Sequence, residues 1–315
     1  FDDEADGLFR ELAAHEERRV PPPPPPRDYT KQRNTRQAEP PQPQYPEAYI
    51  PSYKMMMSRL AENHGRGIYQ VYQDVVCPAD PQPYIVREIW TVETEDSMRV
   101  TLFGKGELKD KVSGSIVYSK GQRYFRNQEG SIRTSKAGKD FVEQFFHFRF
   151  SKNIKPQLVA LGIAPATSLD PRRPSRGKDG QTVYPEENFI RLARVGGHIA
   201  WAIGKPASPD GSDRPPGFWI EQDRFNVLQV RMPSTATVKA NDYDSFDKNM
   251  NFPRNRQYTF GESTCEVQVD KVTRRATTKT FKEILSTASL KDAEKSKPLI
   301  MPEISLVREF YSRFR

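Results

Sequence analysis

The chain has 315 residues with 27 prolines, a mean hydropathy of -0.78 and a formal net charge of +8. Its length suits one large or two ordinary domains, but this proline content and polarity exclude a core that takes in the whole chain. Apolar runs are only a few residues long, far below the roughly 20 that a membrane-spanning helix needs. The sequence therefore predicts a protein that is at most peripheral to a membrane.

Two features of the sequence favour export from the cytoplasm. Residue 1 is Phe rather than Met, which removal of a signal peptide would explain; a start that lies outside the given chain is the alternative. The two cysteines, Cys77 and Cys265, each lie near the end of a predicted strand. A disulfide between them would close a loop of about 190 residues and suit an oxidising compartment. Two separate buried thiols are the alternative.

The charge is unevenly distributed along the chain. Residues 1–50 hold 7 Lys and Arg against 10 Asp and Glu, a net charge of -3, so the other 265 residues carry +11. This surplus is scattered, and no helix-turn-helix, zinc-finger or RNP-like signature accompanies it. Nucleic acid is therefore not expected as a partner, while anionic lipid headgroups and an acidic protein stay open.

The first 51 residues predict an extended N-terminal arm. Residues 1–19, FDDEADGLFRELAAHEERR, begin with acidic residues, end with arginines and carry an apolar stripe, which predicts a short amphipathic helix. The six prolines that follow run as polyproline II over roughly 19 Å. We expect the arm to dock on another protein or another copy of the chain through these residues: Leu8, Phe9, Leu12, Pro21, Pro22, Pro23, Pro24, Pro25 and Pro26.

Residues 52–275 predict a β domain that opens with a helix. Ser52 is a favourable N-cap and Gly65 a C-terminal stop for the helix SYKMMMSRLAENHG. Met55, Met56 and Met57 cannot all face one way, so we expect core filling with one exposed Met. After this helix, apolar residues recur at every second position, which predicts strands that form an antiparallel meander. These segments are IYQVYQDVV, YIVREIWTVE, MRVTLFG and SIVYSKGQRYFRNQEGSIRTS.

Helical and loop segments are expected in the middle of the β domain. The segments GKDFVEQFFHFRF (138–150) and NIKPQLVALGI (153–163) predict two helices, and residues 164–186 predict a polar loop rich in Pro and Gly. Strands then resume around two hairpins, one turning at Gly196-Gly197 and one in PGFWIEQDRFNVLQVRMP (216–233). A loop with Asp242, Asp244 and Asp247 precedes the last strands, QYTFG and CEVQVDKVTR.

Residues 276–315 predict a helical extension. Its last helix, in MPEISLVREFYSRFR, places apolar side chains at helical spacing. We expect this stripe to be available for docking on a partner through Val307, Phe310 and Phe314.

Three blocks of the β domain carry a resemblance to a known family. They are REIWTVETEDSMRVTLFG, SIVYSKGQRYFRN and GFWIEQDRFNVLQVRM. They resemble blocks of the LolA/LolB-like proteins, the outer-membrane lipoprotein-sorting family, over about residues 52–275. The pattern departs from the family at Lys120, where an acidic residue often precedes the turn glycine, and no proline accompanies Arg87 or Arg99. The resemblance implies an α+β fold: a curved antiparallel sheet, or half-open β-barrel, with helices packed on its concave face.

The resemblance also implies an apolar cavity on the concave face, able to hold a lipid or lipoprotein acyl chain. Alternate side chains of a strand share a face, so the set with Phe218 and Ile220 or the set with Trp219 would face inward. A sandwich filled by its own side chains, with no cavity, is the alternative. The cavity candidates are Trp90, Phe103, Phe141, Phe145, Phe148, Trp201, Phe218, Trp219 and Ile220.

The sequence offers no pattern typical of an enzyme. The four histidines have no metal-like spacing, the aspartates at 242–247 lack the glycine and glutamate of a calcium loop, and no nucleophile or nucleotide motif stands in its needed context. We therefore expect no cofactor, no metal and no enzymatic activity. The favoured hypothesis is a periplasmic binding or scaffold protein of a cell-envelope assembly, with a soluble lipid or lipoprotein carrier as the alternative and an envelope enzyme as the least favoured; association with the outer membrane is also open.

Overall fold

The computed structural model describes residues 50–170, 175–178, 180, 182–183, 187–248 and 250–315. The predicted N-terminal helix and the six prolines lie outside the described residues, and so do Leu8, Phe9 and Leu12. Within the described residues, no helix combines the length and the apolar character that crossing a membrane would require.

The first half of the sheet is the predicted meander. Each strand pairs antiparallel with the next along the chain. At the turn between Ser119 and Gln122, Lys120 and Gly121 have φ angles of 51° and 75°, which is the left-handed pair that a two-residue hairpin requires. The strands are β1 (Ile68–Cys77), β2 (Tyr84–Thr94), β3 (Ser97–Lys105), β4 (Ser113–Ser119), β5 (Gln122–Arg126) and β6 (Ile132–Lys136).

The second half of the sheet is also a run of hairpins, which follows a small separate ladder of β7 (Ser175–Arg176) and β8 (Thr182–Val183). This ladder lies in the segment predicted as a loop. The residues Asp242, Asp244 and Asp247, also predicted in a loop, belong to a long strand, Thr237–Asp247. The strands are β9 (Ile190–Val195), β10 (His198–Ile203), β11 (Gly217–Glu221), β12 (Val227–Arg231), β13 (Thr237–Asp247), β14 (Met250–Phe260) and β15 (Ser263–Arg275).

A single pair of strands joins the two halves. β1 pairs antiparallel with β15, which gives a 13-stranded sheet in the order β6-β5-β4-β3-β2-β1-β15-β14-β13-β12-β11-β10-β9. The end strands β6 and β9 do not pair with each other, so the curved sheet stays open. This confirms the predicted α+β fold, a half-open antiparallel barrel.

The described helices are α1 (Tyr53–Glu62), α2 (Ser151–Ala160), α3 (Lys279–Leu285) and α4 (Ser305–Phe314). Ser52 caps α1 as predicted, because its hydroxyl accepts a hydrogen bond from the Met55 amide at 3.3 Å. Met56 and Met57 are buried and Met55 is half-buried. Side chains of α1, α2 and α4 share one core with the inner face of the sheet.

The aromatic segment 138–150 does not form the predicted helix. Only a short 3-10 turn, Glu143–Phe146, is regular. The side chains from Phe145 to Phe148 are all buried, whereas a surface helix buries one stripe and exposes the rest. Consecutive burial therefore requires an irregular backbone here.

Candidate functional site

Most of the residues predicted to line a cavity are in the main core. Phe145, for example, lies 5.5 Å from Phe148 and 5.4 Å from Phe218, measured between ring centroids. At these positions the concave face is filled by packed side chains, so their role in holding a ligand stays a prediction. The residues of this group are Trp90, Phe145, Phe148, Trp201, Phe218 and Ile220.

Trp219 lies on the opposite face of the sheet. There it packs with Ala200, Ala202 and Leu228 in a cluster separate from the main core. The pairing of β11 with β12 shifts after Trp219, and Leu228 is the extra residue. Such a bulge lets Val227 and Val230 of β12 both face the main core although they are three residues apart. On β11, Phe218 and Ile220 belong to the main core, so this set faces inward.

Phe141 and Phe103 lie at the margins of the core. The half-buried ring of Phe141 stacks on Tyr118, with centroids 4.7 Å apart, and lines a small cavity of about 180 Å³ together with Leu161 and Met232. Phe103 is 43% exposed, because the preceding residue of β3 faces the core and strand side chains alternate. Phe103 is therefore on the outer face, away from the concave side.

A buried ionic cluster lies inside the concave face, and we did not predict it from the sequence. The Arg315 guanidinium binds both carboxylate oxygens of Glu88, at 2.9 and 3.0 Å. Glu143 accepts a hydrogen bond from Arg256 at 2.8 Å and lies 3.3 Å from Arg315. All four side chains are fully buried. The cluster balances two carboxylates with two guanidinium groups, which is how buried charges are tolerated.

Polar and aromatic side chains surround this cluster. Trp90 Nε1 and Gln73 Nε2 donate to Glu88 at 2.9 and 2.7 Å, and Arg315 also stacks over Trp90. Burial alone would raise the pKa of Glu143, but the charges of Arg256 and Arg315 outweigh it and hold that pKa well below its usual range. The carboxylate is therefore ionised, paired and sealed from solvent.

Two histidines next to the cluster are buried and neutral. Burial lowers the pKa of His64 from 6.5 to about 3, and the nearby charges of His147 and Arg149 act in the same direction. His64 Nδ1 donates to the Phe148 carbonyl at 2.6 Å. Burial also lowers the pKa of His147, whose partner Glu143 opposes the shift.

We expect the protein to lose stability as the pH falls below 6.5. The unfolded chain binds protons on its histidines near pH 6.5, whereas the folded chain keeps His64 neutral down to about pH 3, so each pH unit below 6.5 costs about 1.4 kcal/mol for this group. In urea titrations at pH 7.5 and 5.5, a His64→Gln variant should lose less stability between the two pH values than the wild type. An equal loss in both proteins would contradict the assignment.

A groove runs along the C-terminal end of α1 and the start of α2, and we call it the α1–α2 groove. Its volume is about 1310 Å³, and its walls also include the end of β2 and the β11–β12 turn. Phe150 in its wall is 49% exposed. Cationic side chains outnumber acidic ones in the wall, which includes Arg59, Arg66, Arg149, Lys152, Arg224, Glu62, Glu93 and Asp223.

Arg149 fixes one wall of the α1–α2 groove. Its guanidinium donates to the carbonyls of Glu93 and His64 at 2.6 and 3.3 Å and lies 5.0 Å from the Tyr69 ring centroid. Burial lowers the pKa of Arg149. Its Nε is buried with no hydrogen-bond partner in the structure, so one donor at this wall stays unused.

Asn63, at the end of α1, ties together other parts of the groove wall. Its side-chain amide donates to the carbonyls of Arg224 and Phe225 at 2.9 and 3.1 Å. The backbone carbonyl of Asn63 accepts a hydrogen bond from the backbone N–H of Asn251 at 2.9 Å. The β11–β12 turn, the end of α1 and the start of β14 are thus held together, and the groove has a preformed shape.

The apolar stripe of the last helix is not available for docking. Val307, Phe310 and Phe314 of α4 are buried in the main core. Phe310 lies 5.2 Å from Tyr258 and Phe314 lies 5.3 Å from Phe260, between ring centroids. The expectation of a partner-binding stripe is corrected here, because the sheet's own inner face covers it.

The disulfide is present between Cys77 and Cys265. Both residues are buried, with Cα atoms 4.4 Å apart on the neighbouring strands β1 and β15. In the part of the chain that the structure describes, no group of three or more His, Cys, Asp and Glu side chains is arranged to hold a metal ion.

Comparisons with known proteins find similarity in solved structures only; no protein-family model and no curated protein matches. A putative outer membrane lipoprotein-sorting protein domain from Vibrio parahaemolyticus aligns at 9% identity over 76% of this chain and 97% of its own, with a TM-score of 0.45. A LolA superfamily protein from Nitrosomonas europaea aligns at 8% identity over 72% and 95%, with a TM-score of 0.45. A DUF1329 family protein from Desulfovibrio piger aligns at 6% identity over 75% and 97%, also at 0.45. In fold, the chain is similar to lipoprotein-sorting and LolA superfamily structures, which is the resemblance that the three sequence blocks predicted.

Proposed function

We propose that this chain is a non-enzymatic binding protein of the periplasm, which takes part in a cell-envelope assembly by binding an extended polypeptide in the α1–α2 groove. The proposal rests on a contrast between the filled interior and the open groove: α1 and α2 pack against the core with some side chains and line the groove with others. The concave interior is filled by side chains and a charge-balanced ionic cluster, whereas the groove is open, large and preformed.

The wall of the groove suits a polypeptide with acidic side chains. Its five cationic side chains exceed its three acidic ones, and opposite charges steer association and fix register. The exposed Phe150 ring offers an apolar anchor, the kind of residue that dominates binding energy in interfaces.

The periplasmic location in this proposal is supported by the disulfide, because such bonds persist in oxidising compartments. The role of residues 1–51 as a second docking element stays part of the proposal. The basic surplus of residues 51–315 fits an acidic partner.

The test is photo-crosslinking in the native cell from two matched positions. A photoreactive phenylalanine analogue replaces Phe150 in the groove or Phe103 on the outer face, which are 49% and 43% exposed. We expect a discrete protein adduct from position 150 that is absent from position 103. No adduct at 150, or the same adducts from both positions, would overturn the proposal.

A carrier of lipids or lipoproteins is the second candidate function. The volume of the α1–α2 groove and the cavity beside Phe141 favour it, since each methylene that an acyl chain buries contributes about 0.8 kcal/mol. Native mass spectrometry of the purified chain separates the candidates. A bound lipid that the Phe150→Ala variant loses would favour the carrier, and a clean protein mass would count against it.

A further inference from the structure

A second large cavity lies on the outer face of the sheet. Its volume is about 520 Å³, and its floor is formed by β1, β2 and β3. The floor residues Ile89 and Arg99 alternate along their strands with Trp90 and Val100, which face the main core. The roof is the segment 280–295, which includes most of α3. This outer cavity is therefore separated from the α1–α2 groove by the sheet.

Arg99 is a buried cation in the floor of the outer cavity. It is 3% exposed, and it donates to four uncharged oxygens: the carbonyls of Ile284 and Lys295 at 3.1 and 2.7 Å and the hydroxyls of Ser289 and Ser115, both at 2.9 Å. A guanidinium group has five N–H donors. The four bonds come from Nη1 and Nη2, and no carboxylate among the described residues forms an ion pair with Arg99.

The other charges of the cavity wall are matched. Asp292 lies 3.3 Å from Lys295, and Glu283 lies 3.9 Å from Lys279. Lys279 lies outside the wall, and the wall itself holds two cations and two anions. Arg99 is the member of this set that forms no ion pair among the described residues, because Glu283 and Asp292 lie next to lysines of their own segment. Burial lowers the pKa of Arg99, which reflects the cost of holding a cation away from water without a counter-charge.

We propose that the outer cavity binds a small monocarboxylate with an apolar body, which supplies the missing counter-charge to Arg99. The cavity lies in the size range of sites for small ligands, which combine apolar walls with a few placed polar groups. Ile89, Ile284 and Ala288 provide the apolar wall. The carboxylate takes the place beside Arg99, where a charge-assisted hydrogen bond is stronger than a neutral one.

The test is calorimetric titration of the full chain with octanoate, compared with octan-1-ol and acetate as probes. We expect saturable binding of one octanoate per chain and binding at least about tenfold weaker for each of the two other probes, since one lacks the charge and the other the apolar body. Equal binding of octanol, or no saturable binding of octanoate, would overturn the proposal.

Variants locate the bound octanoate. Ile89→Trp fills the outer cavity without removing a contact of Arg99 and should abolish binding with the melting temperature unchanged. Arg99→Gln should weaken binding by about tenfold or more, and Glu283→Gln, which removes a wall carboxylate, should leave it equal or tighter. Phe150→Ala in the α1–α2 groove is the matched control and should bind as the wild type does. Binding lost in Phe150→Ala and retained in Ile89→Trp would overturn the assignment.

Discussion

Replacement of Arg256 by methionine is expected to lower the free energy of unfolding by about 3–5 kcal/mol, because it leaves Glu143 with one guanidinium partner fewer in a fully buried site. Arg256 is fully buried, and it also donates to Gln73, whose carbonyl oxygen would lose its partner. Urea unfolding followed by circular dichroism measures the loss. A loss below about 1 kcal/mol would show that the ionic cluster is not the sealed structural unit described above.

Two further variants make this prediction specific. Arg254 lies two residues before Arg256 on the same strand and forms an exposed ion pair with Asp244. Arg254→Ala removes this pair and should cost less than about 1 kcal/mol. The double variant Glu143→Met/Arg256→Met removes both charges and leaves the Glu88–Arg315 pair balanced. It should be more stable than Arg256→Met alone, since the penalty comes mainly from an unmatched charge. A double variant less stable than the single one would contradict this explanation.

Removal of the disulfide is expected to destabilise the chain by about 2–5 kcal/mol, since the bond closes a loop that spans most of the domain. The two cysteines are 188 residues apart in the sequence. Cys77→Ala/Cys265→Ala should unfold at a lower urea concentration than the oxidised wild type. Because both side chains are buried, alanine is the suitable replacement: it adds no polar group to the core.

The reductant response is the control for this second prediction. Dithiothreitol should lower the stability of the wild type towards that of the double variant and leave the double variant unchanged. Free thiols in the denatured, unreduced wild type, or a double variant as stable as the oxidised wild type, would rule out a stabilising bond between Cys77 and Cys265.

Much of the sheet could be predicted from the sequence because local signals define it. Period-two patterns mark the strands, and turn residues such as Lys120-Gly121 and Gly196-Gly197 adopt positive φ at both positions. Each hairpin thus brings together neighbours in the sequence. The pairing of β1 with β15 has no such local signal; the position of the two cysteines near strand ends was the one hint of it.

Face assignment and the aromatic segment could not be predicted, because tertiary packing decides them. The bulge at Leu228 changes the face of β12 within one residue, and alternation counted along the sequence does not reveal it. Phe145 and Phe146 were placed on a helix by their spacing. In the structure Phe145 packs on Phe218 and Phe146 packs on Phe252. Both partners belong to strands more than 70 residues away in the sequence, so local spacing does not reveal these contacts.

The ionic cluster had a signal in the sequence that was missed. Glu88 occupies an inward position of β2, between Val86 and Trp90. Arg256 likewise precedes the inward-facing Tyr258 and Phe260 on β14. A charged residue among the inward-facing apolar residues of a strand needs a buried partner of opposite charge. Glu88 and Arg256 could therefore have been identified from the sequence as members of a buried ionic cluster.

The position of the β1–β15 seam determines when the domain can be completed. Each half of the sheet, 68–136 and 190–275, is contiguous in the chain and can form its hairpins from neighbouring segments. The seam needs the last strand, so one edge of β1 stays uncovered until β15 has formed. An unpaired edge of this kind can pair with other chains, so completion of the seam also removes a site for aggregation.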